Sequence, residues 1–337
     1  MKKILLIMVT SLMLISIAAC SDTTTDDDTG AVETTPTTTV YKIGSLQLVE
    51  HPALDAATEG FFDGLAANGF VDGENLEVDY QNAQGDSSNC ETIATKFVND
   101  QVDLIFANAT PAAQAAASKT TDIPILITAV TDPESAGLVD TNEMTNTNVT
   151  GTSDLTPVNE QIALLQEIFP DAKTVAVMYT SSEDNSIFQK DIAVAALEAS
   201  GLEAVEASVS DTTVIQSVTE SLIGKVDAIY IGTDNLLAEN MPAVANVANA
   251  HNLPIIVGEE GMVENGGLAT YGLDYYNLGF ETGRMAAEVL NGADPAEMPI
   301  SYLPADDCEL IINLDVAEQL GIEIPESVLA KADQILE

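Results

Sequence analysis

Residues 102–117 read VDLIFANATPAAQAAA, and this stretch decides the fold class. Val102, Leu104, Ile105 and Phe106 form a short apolar run suited to a strand buried on both faces, and an alanine-rich helix follows. Thr110 is placed to cap that helix and Pro111 to be its first residue, since proline lacks the N–H that a first turn leaves unpaired. The N–H groups after Pro111 then point past the carboxyl end of the strand. In an open α/β sheet ligands bind there, so a small carboxylate held by backbone is the first functional expectation.

Outward from this stretch the same alternation repeats. In the first half, strands are expected at 43–49, 76–80, 123–129 and 149–153, with helices at 51–68 and 89–100. The pattern restarts near residue 157. Helices are expected at 157–168, 184–200, 211–223 and 236–250, and strands at 174–179, 202–207, 228–231, 254–257 and 268–271. Repeated β–α alternation predicts an α/β protein with parallel sheets covered on both faces, and the restart predicts two such units side by side. Residues 271–279 lead into a helix reaching Leu290. If that helix packs on the first unit, 153–158 and 272–276 become hinge strands.

The amino terminus has its own logic. Lys2 and Lys3 precede an apolar run from Ile4 to Ala19, and Ile17-Ala18-Ala19-Cys20 has the form of a bacterial lipobox. The expectation is a lipoprotein signal peptide at 1–19, lipid on the sulfur of Cys20, and a disordered Thr/Asp-rich linker over 20–39. No later apolar run is long enough to span a bilayer. The other cysteines, Cys90 and Cys308, read as structural thiols.

The chain of 337 residues carries 54 acids against 10 Lys and Arg, a formal net charge of −44, and removal of Lys2 and Lys3 makes it −46. Such a surface repels nucleic acid and anionic membranes. Catalytic signatures are missing: there is no G-x-S-x-G, Walker sequence, G-x-G-x-x-G or H-E-x-x-H, and the cysteines lack metal-ligand spacing. The expectation is therefore binding without catalysis, with no cofactor and no metal.

Polar clusters follow the expected strands at Gln47–His51, Asn108–Thr110, Thr128–Asp132, Tyr179–Asn185, Thr233–Asn235 and Gly258–Gly261. Gathered at one edge of both sheets, they would face each other across a cleft. The first half offers hydroxyls and helix N-termini, suited to a carboxylate. The second adds Asp234, Glu259 and Glu260, suited to an ammonium, so a zwitterionic amino acid satisfies both. Acids at helix starts also serve as plain caps. Of the two histidines, His51 sits at a strand end within reach of a ligand, while His251 closes a helix and faces solvent.

LQLVEHPALDAATEGFFDGL, ANATPAAQAAA, ITAVTDPESAGLV, MYTSSEDNS, VDAIYIGTDN and IIVGEEGMVENGGLATYGLDYYNLGFETGRMAAEVLNG, in this order, resemble the bacterial ABC-transporter substrate-binding lipoproteins of the tryptophan/tyrosine type. The resemblance covers about residues 40 to 330. It implies a type I periplasmic-binding-protein fold, two Rossmann-like lobes joined by a multi-strand hinge. The first lobe would be 40–156 plus 275–303 and the second 157–274 plus 304–337. It further implies an aromatic amino acid as ligand, an ABC permease with its ATPase as partner, a membrane-anchored extracytoplasmic location and a monomer. On this topology the α-carboxylate falls at Thr110, the N–H of Ala112 and the loop of Thr131 and Asp132, and the ammonium at Asp234 or Glu259. Ser181, Ser182, Asn185 and Asn235 contribute from the opposite lobe, with Gln47, Val49 and His51 near the ligand's side chain. Another small solute on the same fold, such as a branched amino acid or nucleoside, a sensory subunit and an extracytoplasmic enzyme are the competing readings.

Overall fold

Alternating burial along the 102–117 stretch shows why it forms a central strand. Leu104 and Phe106 enter one core, with Phe61 and Leu126, while Ile105 and Ala107 enter the other, with Leu46 and Ile127. The computed structural model describes residues 39–304 and 308–337. The signal peptide expected at 1–19, Cys20 and all but Thr39 of the expected linker lie outside the described residues.

In chain order the first half comprises β1 (Tyr41–Gln47), α1 (Pro52–Ala67), β2 (Leu76–Asn82), α2 (Ser87–Asp100), β3 (Leu104–Asn108), α3 (Thr110–Ala117), β4 (Ile125–Val130) and β5 (Val149–Ser153). Next come α4 (Val158–Ile168), β6 (Thr174–Thr180), α5 (Asp184–Ala199), β7 (Glu203–Val209), α6 (Ile215–Leu222), β8 (Ala228–Ile231) and α7 (Asn235–Glu239). They are followed by α8 (Met241–Ala250), β9 (Ile255–Val257), α9 (Glu260–Glu264) and β10 (Ala269–Gly272). The chain ends with α10 (Tyr275–Leu290), β11 (Ser301–Tyr302), β12 (Glu309–Asn313), α11 (Leu314–Leu320), α12 (Glu326–Leu329) and β13 (Gln334–Leu336).

The described strands make a six-stranded sheet, ordered β11-β5-β4-β3-β1-β2, and a seven-stranded sheet, ordered β13-β12-β10-β9-β8-β6-β7. Every pair in the first is parallel; in the second the β10–β12 pair alone is antiparallel. Parallel order places the carboxyl ends of β1, β3 and β4 on one edge and those of β6, β8 and β9 on another. The chain passes from one sheet to the other after β5, between β10 and α10, and between β11 and β12.

Helix α10 is tied to the first sheet by glycine. A Cβ on Gly279 would stand 1.9 Å from the Ala57 carbonyl oxygen, and one on Gly60 would stand 2.0 Å from that of Tyr276. Gly64 and Gly283 repeat the arrangement one turn on, so α1 and α10 pack backbone against backbone. No larger side chain fits without parting them.

Several local expectations need correction. Thr110 does not cap α3: Ala109 holds the cap position with φ +89°, Thr110 is the first helical residue, and no side chain caps the helix. The helix expected over 236–250 is broken into α7 and α8 at Asn240, because Pro242 supplies no N–H and its ring crowds the carbonyl four residues back. The helix expected over 211–223 begins as a 3₁₀ turn, Thr212–Val214. Cys90 is buried on α2, and burial pushes its thiol up to about 11. Among the described residues no helix is long and apolar enough to cross a membrane.

Candidate functional site

Between the carboxyl edges of the two sheets lies a cavity of about 10 Å³, room for roughly one water. A solute larger than water therefore enters only when the lobes part. His51 and Leu54 from the start of α1, Ala129 from β4 and Tyr275 from α10 form its first-sheet side. Asn185 of α5, Thr233, Asp234, Asn235, Ala238 and Glu259 form the other, and Asp154 comes from the crossing after β5. None of these lining residues is Lys or Arg.

Atoms on this wall lack partners. His51 Nδ1, Asp154 Oδ1, Asn185 Oδ1 and Glu259 Oε1 are buried without a hydrogen bond, a state that ordinarily costs stability and marks a site of use. The second oxygens of both acids are engaged: Asp154 Oδ2 accepts from the Tyr275 hydroxyl at 2.7 Å, and Glu259 Oε2 from the Gly261 N–H at 2.6 Å. Burial pushes Glu259 up to about 7, with Glu260 and Glu264 adding to it, and burial raises Asp154 as well. Burial lowers His51 to about 4, so its ring is neutral.

The sheet edges also store strain. Ala109 and Ala129, at the ends of β3 and β4, have φ of +89° and +52°, a conformation costing an alanine about 1 kcal/mol or more. Beside Ala109, the Thr110 hydroxyl is buried and unpartnered. Helix α3 faces the second lobe, since Gln114 Nε2 donates to Asp184 Oδ2 at 2.8 Å. Nearby, Gln189 Nε2 donates to Thr131 Oγ1 at 3.3 Å.

Of the residues singled out in the sequence, His51, Asn185, Asp234, Asn235 and Glu259 line the cavity. Asp234, however, is spent: its oxygens accept from the Thr180 N–H at 2.6 Å, the Thr180 hydroxyl at 2.7 Å and the Leu237 N–H at 2.9 Å. It is the cap of α7, and neither of its oxygens is left without a partner. Gln47 is likewise engaged within its own lobe, donating to Val49 O and Asp55 and accepting from Thr58. Val49 and Ala112 are core residues. Thr110, Ala112, Thr131 and Asp132 lie off the lining, Asp132 capping a turn through Ser135 N–H at 2.7 Å. Ser181 and Ser182 are exposed, because the chain there turns outward before α5.

Asp154, Glu183 and Tyr275 lie in stretches that the sequence marks as a cleft-edge cluster or as hinges, but none of the three is singled out there as a site residue. Asp154 and Tyr275 stand on the two segments expected to be hinges, and a buried acid on a hinge is a signal that could have found Asp154. Glu183 is buried beneath α7, where it accepts from the Asn235 and Leu236 N–H groups at 3.2 and 3.1 Å. Among the described residues no group of acids, histidines or cysteines is placed to hold a metal ion.

A two-lobed α/β body with its buried polar cavity at the interlobe edge is the build of a periplasmic solute receptor. The chain belongs to the family described as ABC transporter substrate binding protein, matched over residues 42–336. Proteins of this family bind a solute outside the cytoplasm for an ABC transporter. A tyrosine-binding protein of Clostridioides difficile is 44% identical over 281 residues, 83% of this chain and 81% of its own length. An ABC domain from Streptococcus pneumonia in complex with L-Trp is 40% identical, covers 88% of this chain and 100% of its own, and superposes with a TM-score of 0.85. The ligand-free, open structure of a substrate binding protein with adhesive properties from Clostridium difficile covers 88% of this chain and 99% of its own. It is 46% identical, yet its TM-score is 0.68. The chain thus matches the liganded arrangement better than the open one despite lower identity, as the near-closed cavity requires.

Proposed function

We propose that this protein is the lipid-anchored, extracytoplasmic receptor of an ABC importer and takes an aromatic amino acid (tyrosine, tryptophan or phenylalanine) between its lobes. The lobes are 40–156 with 275–303 and 157–274 with 304–337, Cys20 carries the lipid, and hinge closure presents the ligand to a permease. The observation that carries the reading is the pair Asp154 and Glu259. Each leaves an oxygen unpartnered on a cavity wall without Lys or Arg. A buried carboxylate calls for a cation, and an α-ammonium supplies one with three donors. The α-carboxylate is assigned to the uncapped start of α3, where the Thr110 hydroxyl and the N–H groups of Thr110 and Ala112 have no side-chain rival. The names of the tyrosine-binding relative and the L-Trp complex support the aromatic side chain.

Calorimetry of the purified protein tests this. L-Tyrosine is expected to give binding heat, while tyramine, without the carboxylate, and 3-(4-hydroxyphenyl)propionate, without the ammonium, give none. Absence of heat with every aromatic amino acid overturns the reading.

A further inference from the structure

Four side-chain atoms of the cavity-lining residues lack partners, and one buried carboxyl group, that of Glu183, orients two of them. Glu183 accepts from Asn235 Nδ2 at 2.7 Å and from Asn185 Nδ2 at 3.2 Å. Both amides therefore turn their NH₂ groups toward Glu183 and their carbonyl oxygens elsewhere. Asn185 Nδ2 also donates to Thr233 O at 3.2 Å, which fixes the same orientation. Asn235 Oδ1, so placed, meets His51 Nε2 at 3.5 Å. That long contact is a hydrogen bond only when Nε2 bears the proton, which leaves Nδ1 with its lone pair. His51 Nδ1 and Asn185 Oδ1 are then neutral acceptors, each buried and unpartnered on a residue that lines the cavity.

The ammonium goes to Asp154 and Glu259, because charge-assisted hydrogen bonds outcompete neutral ones. The neutral pair is left for a neutral donor. Resting on the amino-acid reading above, we propose that His51 Nδ1 and Asn185 Oδ1 read an O–H or N–H on the ligand's side chain, with Glu183 positioning both, so that the cavity selects tyrosine or tryptophan over phenylalanine. A ring without a donor leaves both acceptors buried and unsatisfied, and sites built to bond a hydroxyl reject the analogue lacking it far more strongly than apolar pockets reject a missing methylene.

The test is calorimetry of the purified protein against L-tyrosine, L-tryptophan, L-phenylalanine and 4-fluoro-L-phenylalanine, the last close to tyrosine in size but unable to donate. Tyrosine and tryptophan are expected to bind about 100-fold or more tighter than phenylalanine, and the fluoro analogue to group with phenylalanine. Glu183→Gln, which frees the two amides to rotate, is expected to shrink the tyrosine-to-phenylalanine ratio about tenfold while phenylalanine affinity changes less. Should that variant fold poorly, ¹⁵N NMR of the wild-type imidazoles gives a second readout: the chain has two histidines, and the His51 Nδ1 signal is expected to move with tyrosine and stay with phenylalanine. Equal affinity for phenylalanine and tyrosine, or a fluoro analogue as tight as tyrosine, overturns the selection and leaves the amino-acid reading standing. Failure of all four to bind overturns both.

Discussion

Two helix N-termini on each wall of the cleft are treated in opposite ways, while α10 on the first-lobe side is capped by Asp274 and α5 on the second-lobe side has no side-chain cap. On the second-lobe wall, α7 is capped by Asp234, with Glu183 on its next N–H groups, and α9 is capped by Glu259. On the first-lobe wall neither α1 nor α3 has a side-chain cap. A helix end already satisfied by its own carboxylate has no use for an anionic ligand, whereas a bare one does. The difference gives the cleft a polarity, with the ligand's carboxylate toward α3 and its ammonium toward Glu259 and the Asp154 crossing.

Breaking that polarity at its acidic end is expected to have the largest effect. Asp154→Asn and Glu259→Gln should each weaken amino-acid binding about 100-fold or more, since each removes a charge from a desolvated ammonium. Asp234→Asn is the control: its oxygens serve Thr180 and Leu237, so the loss should appear as about 1 kcal/mol of stability with affinity changed far less. Titration of each variant with L-tyrosine beside its thermal melt separates the outcomes. An Asp234 variant as impaired in binding as the Glu259 variant would erase the distinction between spent and available acids.

Protons should act on the same acids. Glu259 is held up to about 7 by burial, above its ordinary 4.5, and Asp154 is raised too. A raised folded-state value means that the protonated acid favours the ligand-free closed protein; this stabilisation is full below about 4.5 and is lost as pH rises through about 7. An ammonium ligand prefers the ionised acids, so affinity should rise from pH 5 toward 8, by up to about tenfold per pH unit for each proton released. Calorimetry in buffers of different ionisation enthalpy counts those protons. Affinity that falls as pH rises would place the ammonium elsewhere.

On the bare-helix side a smaller effect is expected, with a twist in sign. Thr110→Val keeps the shape but deletes a buried hydroxyl that has no partner. Ligand affinity should drop about tenfold, while the ligand-free protein should be as stable or slightly more so, because an unsatisfied polar group is removed. A drop in melting temperature without loss of affinity would return Thr110 to a purely structural role.

The sequence legibly carried the scaffold because burial on both faces of parallel strands leaves runs such as 104–107 and 228–231 that few other structures allow. It was less informative at the site, for a reason visible in Asp234 and Asp154. Both are acids beside strand ends, and which one keeps a free oxygen depends on partners far along the chain: Thr180 for the first, Tyr275 for the second. Ser181 and Ser182 misled in the same way, since a hydroxyl after a strand is equally apt to face solvent. Asn185 and Asn235 were found as polar residues at helix starts, but their orientation is set by Glu183, whose own role is invisible until α5 and α7 are brought together.

One of the contacts between the walls outside the cavity offers the smallest and sharpest test. Gln114 Nε2, on the bare helix, donates to Asp184 Oδ2 across the cleft at 2.8 Å and to Ala136 O at 3.1 Å. Asp184 is exposed, and a hydrogen bond in reach of water contributes about 1 kcal/mol or less. Gln114→Ala should therefore cost about threefold or less in affinity. Because the bond exists only when the lobes are together, the loss should fall on the dissociation rate and leave association nearly unchanged, which stopped-flow release of L-tyrosine resolves. A loss above about tenfold would mean that the rim holds the lobes shut, and the buried acids would then select the ligand without being the main force that retains it.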